Sequence, residues 1–362
     1  MPTFASGPVV ALLSERDGLQ RVTVQLHADR EPERAYVLTE ITGPVAVGDA
    51  VVVNTTAVEL GLGTGGWHFV HWNLARTERR APGPGHIMKL RYTGSQLDTG
   101  SAEEDHPELL DATSIDGMPV VVAGLHSQVP AVAIAVRDAL PEARIAYVMT
   151  DGAALPIVFS DLVDALRTRG LIDTTVTTGH AFGGDLETVS VPAALTAARV
   201  AAGADVAIVA MGPGIVGTGS RLGFTGMEVG PILDTAGALG GRGIAALRVS
   251  FADPRPRHRG LSHHSATALR LGCGRRATIA VPELPPDDAV VLAADLAAAG
   301  LGALHELVSV AAPDIVARFA DHGLRVTSMG RAAAADPALF LAAAAAGTFA
   351  AGVARSGGGS GA

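Results

Sequence analysis

Between residues 119 and 329 the sequence repeats one unit: a short apolar run, a polar or glycine-rich cluster, then an amphipathic segment. Strand-length runs alternating with helical patterns specify βα units and a parallel sheet. The clusters read Gly124-Leu125-His126-Ser127, Thr150-Asp151-Gly152, Thr178-Gly179-His180, Met211-Gly212-Pro213-Gly214 and Phe251-Ala252-Asp253. In such sheets ligands sit beyond the carboxyl ends of the strands, which is where these clusters fall. The expected architecture is α/β, with a mainly parallel, doubly wound sheet of about six or seven strands spanning residues 118–354.

Residues 1–82 follow a different pattern, of short strands separated by polar or glycine turns without helical periodicity. Regular strand spacing of this kind predicts a small antiparallel β-barrel. Trp67 and Trp72 lie in its last strand, whose alternation sends His68 and His71 to opposite faces and so keeps them from sharing a metal. A Pro/Gly breaker at 81–85 opens a junction over residues 83–117, where residues 86–93 read as a strand. Alternation along it pairs Lys89 with Arg91 as a cationic surface. Lys89 is the only lysine among 27 basic residues, which suggests a position where a guanidinium will not substitute. Residues 355–362 have the composition of a flexible tail.

Composition narrows the function. A formal charge of −9 with no basic arm argues against nucleic acid as a partner. The single cysteine, Cys273, excludes an internal disulfide or a multi-cysteine metal site, and is read as a buried structural thiol. Glu15, Arg16 and Asp17 interrupt any secretory pattern, and the uncharged stretch 338–354 is short and mostly alanine, so a cytoplasmic protein without a membrane partner is expected.

Three stretches carry the motifs. Residues 86–93 read HIMKLRYT, residues 212–219 read GPGIVGTG, and residues 257–264 read RHRGLSHH. Together they resemble bacterial domain-of-unknown-function family 3866, a similarity that runs nearly the full chain apart from the tail. That family has no assigned activity, so the resemblance implies a whole-chain bacterial family and leaves function open.

Gly212, Gly214 and Gly217 match G-x-G-x-x-G after an apolar strand, and with Thr218 and Gly219 they offer backbone amides to an anion. A dinucleotide fingerprint also needs a helix that opens at once and an acidic residue about 20 positions on, and neither is present. Residues 254–264 hold three arginines and three histidines without an acid, so Arg255, Arg257 and Arg259 are the electrostatic candidates for an anionic ligand. Ser262 reads as a helix cap. His263 and His264 would point about 100° apart on that helix, which disfavours joint chelation. His180, Asp185 and Glu187 follow another strand, where carboxylates beside a histidine suit acid–base chemistry or a metal, and equally suit capping of the next helix. Ser127 lacks the elbow motif of a nucleophilic serine.

The leading expectation is an enzyme acting on a small anionic metabolite by acid–base or metal-assisted transfer or hydrolysis. His126, Asp151, His180, Asp185 and His263 are its candidate catalytic groups. Lys89, Gly212, Gly214, Gly217, Thr218, Gly219, Arg255, Arg257 and Arg259 are its candidate ligand-binding groups. The cofactor is open, with a divalent metal as the one candidate, and the oligomeric state is open too, a homo-oligomer included. The alternatives are a non-catalytic nucleotide- or metabolite-binding module and an NAD-dependent oxidoreductase.

Overall fold

The computed structural model describes residues 2–357. The chain divides into two compact units, residues 1–99 and 100–362, so residues 83–99 of the junction belong with the barrel.

In the first unit β1 (Phe4–Arg16), β2 (Leu19–Val24), β3 (Glu33–Leu38), β4 (Ala50–Asn54) and β5 (Trp67–Asn73) close into a barrel of order β1-β2-β3-β5-β4. Strands β4-β1-β2-β3 stand in Greek-key order, and β5 closes the ring antiparallel to β4 but parallel to β3. The expected antiparallel barrel thus contains one parallel pair. Alternating valines, among them Val9, Val22, Val24, Val37, Val51 and Val53, fill the interior. On the outer face Tyr36 stacks on Trp67 at 4.5 Å, with the Arg34 guanidinium 4.9 Å above the indole. His68 is buried with Nε2 2.8 Å from Glu33 Oε2, whereas His71 is exposed, so the two histidines do face opposite ways.

The strand expected at 86–93 is much shorter. Only β6 (Met88–Lys89) pairs, with β7 (Leu97–Asp98), because Leu90 and Tyr92 take φ of 50° and 61° and turn the chain. Alternation therefore fails: Arg91 is exposed, and Lys89 is fully buried rather than part of a solvated cationic surface. Removing a buried four-carbon stem leaves a cavity, so Lys89→Ala should cost about 2 kcal/mol in urea unfolding. A change below 0.5 kcal/mol would show that the side chain is dispensable to the fold.

The second unit is built on β8 (Pro119–Ala123), β9 (Ile145–Thr150), β10 (Thr174–Thr177), β11 (Leu186–Glu187), β12 (Val206–Met211), β13 (Arg242–Ala246), β16 (Thr278–Pro282) and β17 (Glu306–Val310). They form one sheet of order β11-β10-β9-β12-β8-β13-β16-β17, in which every pair is parallel. Two short antiparallel pairs lie outside it: β14 (Val249–Ser250) with β15 (Gly260–Leu261), and β18 (Thr327–Ser328) with β19 (Arg331–Ala332). Every residue of β8, β9 and β12 is buried, as continuous apolar runs covered on both faces require.

Helices Val129–Ala139, Asp161–Thr168, Ile315–Asp321 and Pro337–Gly357 cover one face. Helices Val191–Thr196, Val229–Ala238 and Pro286–Ala298 cover the other. Helix Pro337–Gly357 is long and apolar enough to cross a membrane by length and composition, but 61% of its apolar window is buried, packed on helix Val129–Ala139 and the sheet. It takes in residues 355–357 of the expected tail; residues 358–362 lie outside the described residues.

Candidate functional site

Because all eight strands run in parallel, the clusters at their carboxyl ends share one edge of the sheet. The helix after β8 packs on one face and the helix after β12 on the other, yet β8 and β12 are neighbours. Such a switch in winding direction opens a crevice between the two loops. A crevice of about 410 Å³ lies there, lined by His126 and Ser127 after β8, by Gly212, Pro213 and Gly214 after β12, and by Asp161, Arg169 and Arg325 among others. Arg325 is exposed and makes no ion pair among the described residues.

His126 is pinned rather than free. Its Nδ1 lies 3.3 Å from the Met211 carbonyl and 3.1 Å from the Tyr147 hydroxyl, and its Nε2 lies 2.7 Å from Ser160 Oγ. A carbonyl only accepts, so Nδ1 carries the proton and Nε2 accepts from the Ser160 hydroxyl. Burial pushes the imidazole down to about 4, which keeps it neutral. Ser160 is itself buried and caps helix Asp161–Thr168 by accepting from the Val163 amide. The serine that meets His126 is therefore Ser160, whereas Ser127 Oγ donates to Ser328 Oγ at 2.9 Å.

A second cleft, of about 380 Å³, opens beyond β9 and β10 and is lined by Thr150, Asp151, Thr178, Gly179, Ser190 and Glu228, among others. Glu228 stands immediately before helix Val229–Ala238 and accepts from the Thr150 hydroxyl at 2.8 Å. Burial pushes its carboxyl up to about 7; Thr150 opposes the rise and the Asp151 charge adds to it. Thr178 Oγ1 is buried without a hydrogen-bond partner on the wall of the same cleft. Asp151 is fixed by the His180 amide, which donates to its Oδ2 at 3.0 Å.

A third cluster follows β13. His258 closes a 3₁₀ turn, Gly260 reverses the chain, and Ser262 caps the helix whose first two residues are His263 and His264. The expected divergence of the two histidines does not hold, because at the first turn both rings swing back over the cap toward His258. Ring centroids lie 4.4 Å apart for His263 and His264, 4.9 Å for His258 and His263, and 4.8 Å for His258 and His264. Phe224 stacks on His264 at 3.8 Å. Burial, then the Arg248 charge, pushes His258 and His264 down to about 3; burial and Arg257 lower His263 as well. Beneath them Asp253, fully buried, receives the Arg255 fork at 2.9 and 2.7 Å, Arg331 at 3.3 Å and Arg248 at 3.8 Å. Those hydrogen bonds hold its carboxyl far below the usual range.

Other candidates serve the fold. Asp185 binds Arg167 Nη2 through Oδ1 at 2.7 Å and the Thr175 amide and hydroxyl through Oδ2, so both oxygens are committed. It does not cap the next helix either, since Ser190 does. Glu187 accepts from the Thr177 hydroxyl and the Gly183 amide. The loop from Gly212 to Gly219 opens no helix: Gly217 bridges to Phe224 in a small hairpin, and the next regular helix starts at Val229. Hydrogen bonds inside that hairpin take the amides of Val216, Thr218, Ser220, Gly223, Phe224 and Thr225, so of the five expected anion-binding residues Thr218 has its amide committed. Gly212 is required instead for close packing, since a Cβ there would lie 2.5 Å from the Ala154 carbonyl oxygen. Arg255 is spent on Asp253, Arg257 donates to the Gly219 carbonyl, and Arg259 is exposed. Cys273 is half-buried rather than buried as expected, and burial and Asp234 push its thiol up to about 12, which fits an inert thiol.

Sequence reasoning did not single out Glu228 or Ser160, and it placed Thr178 at a strand end without giving it a role. Glu228 reads in sequence as an ordinary acid at a helix start, and only its burial beside Thr150 and Asp151 sets it apart.

No curated protein matches the chain. A family model described as protein of unknown function (DUF3866) matches residues 34–347, most of the sequence and all three motif stretches. The chain belongs to the DUF3866 family.

Proposed function

We propose that the protein is an enzyme acting on a small anionic metabolite by acid–base transfer or hydrolysis, with Glu228 as the group that gives and takes the proton. The observation that carries this reading is the Glu228 carboxyl, brought to about 7 inside an open cleft. General catalysis is most effective when the pKa of the group lies near the working pH, and strongly perturbed carboxyls in clefts mark such sites. Thr178, on the cleft wall, has a buried hydroxyl without a hydrogen-bond partner. Arg325 in the crevice between the β8 and β12 loops supplies the charge for the anionic end, since the Arg169 guanidinium already donates to the Ala165, His322 and Gly323 carbonyls. The crevice lies beside helix Asp161–Thr168 and the cleft beside helices Val191–Thr196 and Val229–Ala238, on opposite faces of the sheet, so a ligand held by both must cross its carboxyl edge.

The test is a thermal-shift screen of phosphorylated and carboxylated metabolites, followed by mass-spectrometric assay of turnover for those that bind. Arg325→Ala should weaken binding about tenfold at low salt and less at high salt. Glu228→Gln should lower turnover at least 100-fold and leave binding within a factor of three. Undiminished turnover in Glu228→Gln would sink the catalytic assignment, and tight binding without turnover in the unmodified protein would favour a non-catalytic metabolite-binding module.

Stability offers a check that needs no substrate. The folded chain holds the Glu228 proton to about 7 while the unfolded chain releases it near the ordinary 4.5. The folded state thus binds more protons across this window, and stability falls as pH rises through it. Glu228→Gln removes the effect. The variant should match the parent near pH 4 and exceed it at pH 8 by up to roughly 3 kcal/mol in urea unfolding. A pH-independent difference would show that the carboxyl titrates normally.

A further inference from the structure

We propose that His258, His263 and His264 form a binding site for one divalent transition-metal ion of the zinc class, separate from the Glu228 cleft and independent of its assignment. One nitrogen of each ring lies within 4.8 Å of one nitrogen of each of the others, and among the described residues no other group of three or more His, Cys, Asp or Glu meets that condition. On His258 and His264 the nitrogen left over is Nε2. His258 Nδ1 is held by Ser262 Oγ at 2.7 Å, His264 Nδ1 is met by Arg248 Nη1 at 3.2 Å, and His263 Nε2 is buried without any partner. An unsatisfied imidazole nitrogen in an interior costs free energy that a ligand would recover.

The second layer has the form that metal-binding histidines use. A hydroxyl on the far nitrogen fixes the His258 ring, and Phe224 fixes the plane of His264. Imidazole donors suit zinc, cobalt, nickel and copper rather than magnesium or calcium, and a three-histidine set leaves a fourth position open. Uptake through His264 Nε2 places the ring proton on Nδ1, so Arg248 must release that nitrogen. Its charge can turn toward Asp253, 3.8 Å away. The surrounding arginines, Arg248, Arg255 and Arg257, exceed the nearby acid, so the open position should take an anion that offsets the charge.

The test is equilibrium dialysis of the full chain against Zn(II) or Co(II), with bound metal counted by mass spectrometry and Co(II) geometry read from its visible spectrum. The expected result is about one ion per chain and an intense tetrahedral Co(II) band that shifts when phosphate or a carboxylate is added. His258→Ala and His263→Ala should each weaken Zn(II) binding at least 100-fold, whereas His106→Ala, a histidine outside the cluster, should leave it unchanged. Imidazole ¹⁵N spectra of the unmodified protein give a reading that does not depend on a variant folding: Zn(II) should move the Nε2 resonances of these three histidines together. Less than 0.1 ion per chain on the order of saturating metal, retention of binding in His263→Ala, or phosphate binding with no metal requirement would overturn the proposal.

Discussion

Asp253→Ala should be among the most damaging single substitutions in the chain, costing about 3–5 kcal/mol in urea unfolding. Asp253 is the common partner of Arg248, Arg255 and Arg331, and Arg248 is itself buried. Removing the carboxylate leaves three guanidinium groups facing one another, with Asp336 as the acid still in contact with Arg331. An exposed ion pair would contribute little by comparison. Asp253→Asn keeps the shape and loses the charge, so it should cost less than Asp253→Ala and more than 1 kcal/mol. The pH dependence has a definite sign. A carboxyl held below its ordinary 3.8 contributes stability that is complete above that value and is lost as pH falls through the lower folded one. Parent and Asp253→Asn should therefore differ most at neutral pH and converge only in strong acid. A cost below 1 kcal/mol for Asp253→Ala would mean that the arginines turn out to water and the network does not hold the β13 loops.

Gly347→Ala should destabilise the protein by about 2–3 kcal/mol, against the direction of helix propensity. Replacing a glycine within a helix by alanine ordinarily stabilises it by up to ~1 kcal/mol. At Gly347 a Cβ would lie 2.5 Å from the Val132 carbonyl oxygen and 3.0 Å from the Ala135 Cβ, so the two helices would have to separate. Gly352 sits in the same helix with nothing within 4 Å of such a Cβ, and Gly352→Ala should stabilise by about 0.5–1 kcal/mol. Melting curves of the two variants should thus move in opposite directions. If both rose, the alanine-rich helix would not be packed on helix Val129–Ala139 at backbone contact distance.

The legible part of this molecule was the part governed by period. Continuous apolar runs marked β8, β9 and β12, and turn clusters marked where strands end, so the parallel sheet, the barrel and the carboxyl-edge location of the loops follow from local pattern. The sheet's eight strands exceed the expected six or seven because β11 is only two residues long and β17 is an edge strand with a largely exposed pattern. Residues 86–93 failed for the complementary reason: positive φ at Leu90 and Tyr92 leaves no trace in an alternation of side-chain types.

Among the site residues, sequence alone determined which chemistry reaches the carboxyl edge: His126, Asp151, Gly212, Gly214 and the histidine–arginine loop all stand there, because parallel strands place their C-terminal loops on one side. Only the tertiary structure decided what each residue is free to do. Asp185, Arg255 and the Val216 and Thr218 amides spend their polar groups on neighbours that are distant in sequence or hidden by a turn. Glu228 gains its proton affinity from burial against Thr150, 78 residues away, and His258 joins His263 and His264 only because Gly260 and Ser262 fold the chain back. Residue type and spacing determine where a group is carried, whereas hydrogen bonding and desolvation, which are three-dimensional quantities, determine whether it remains available.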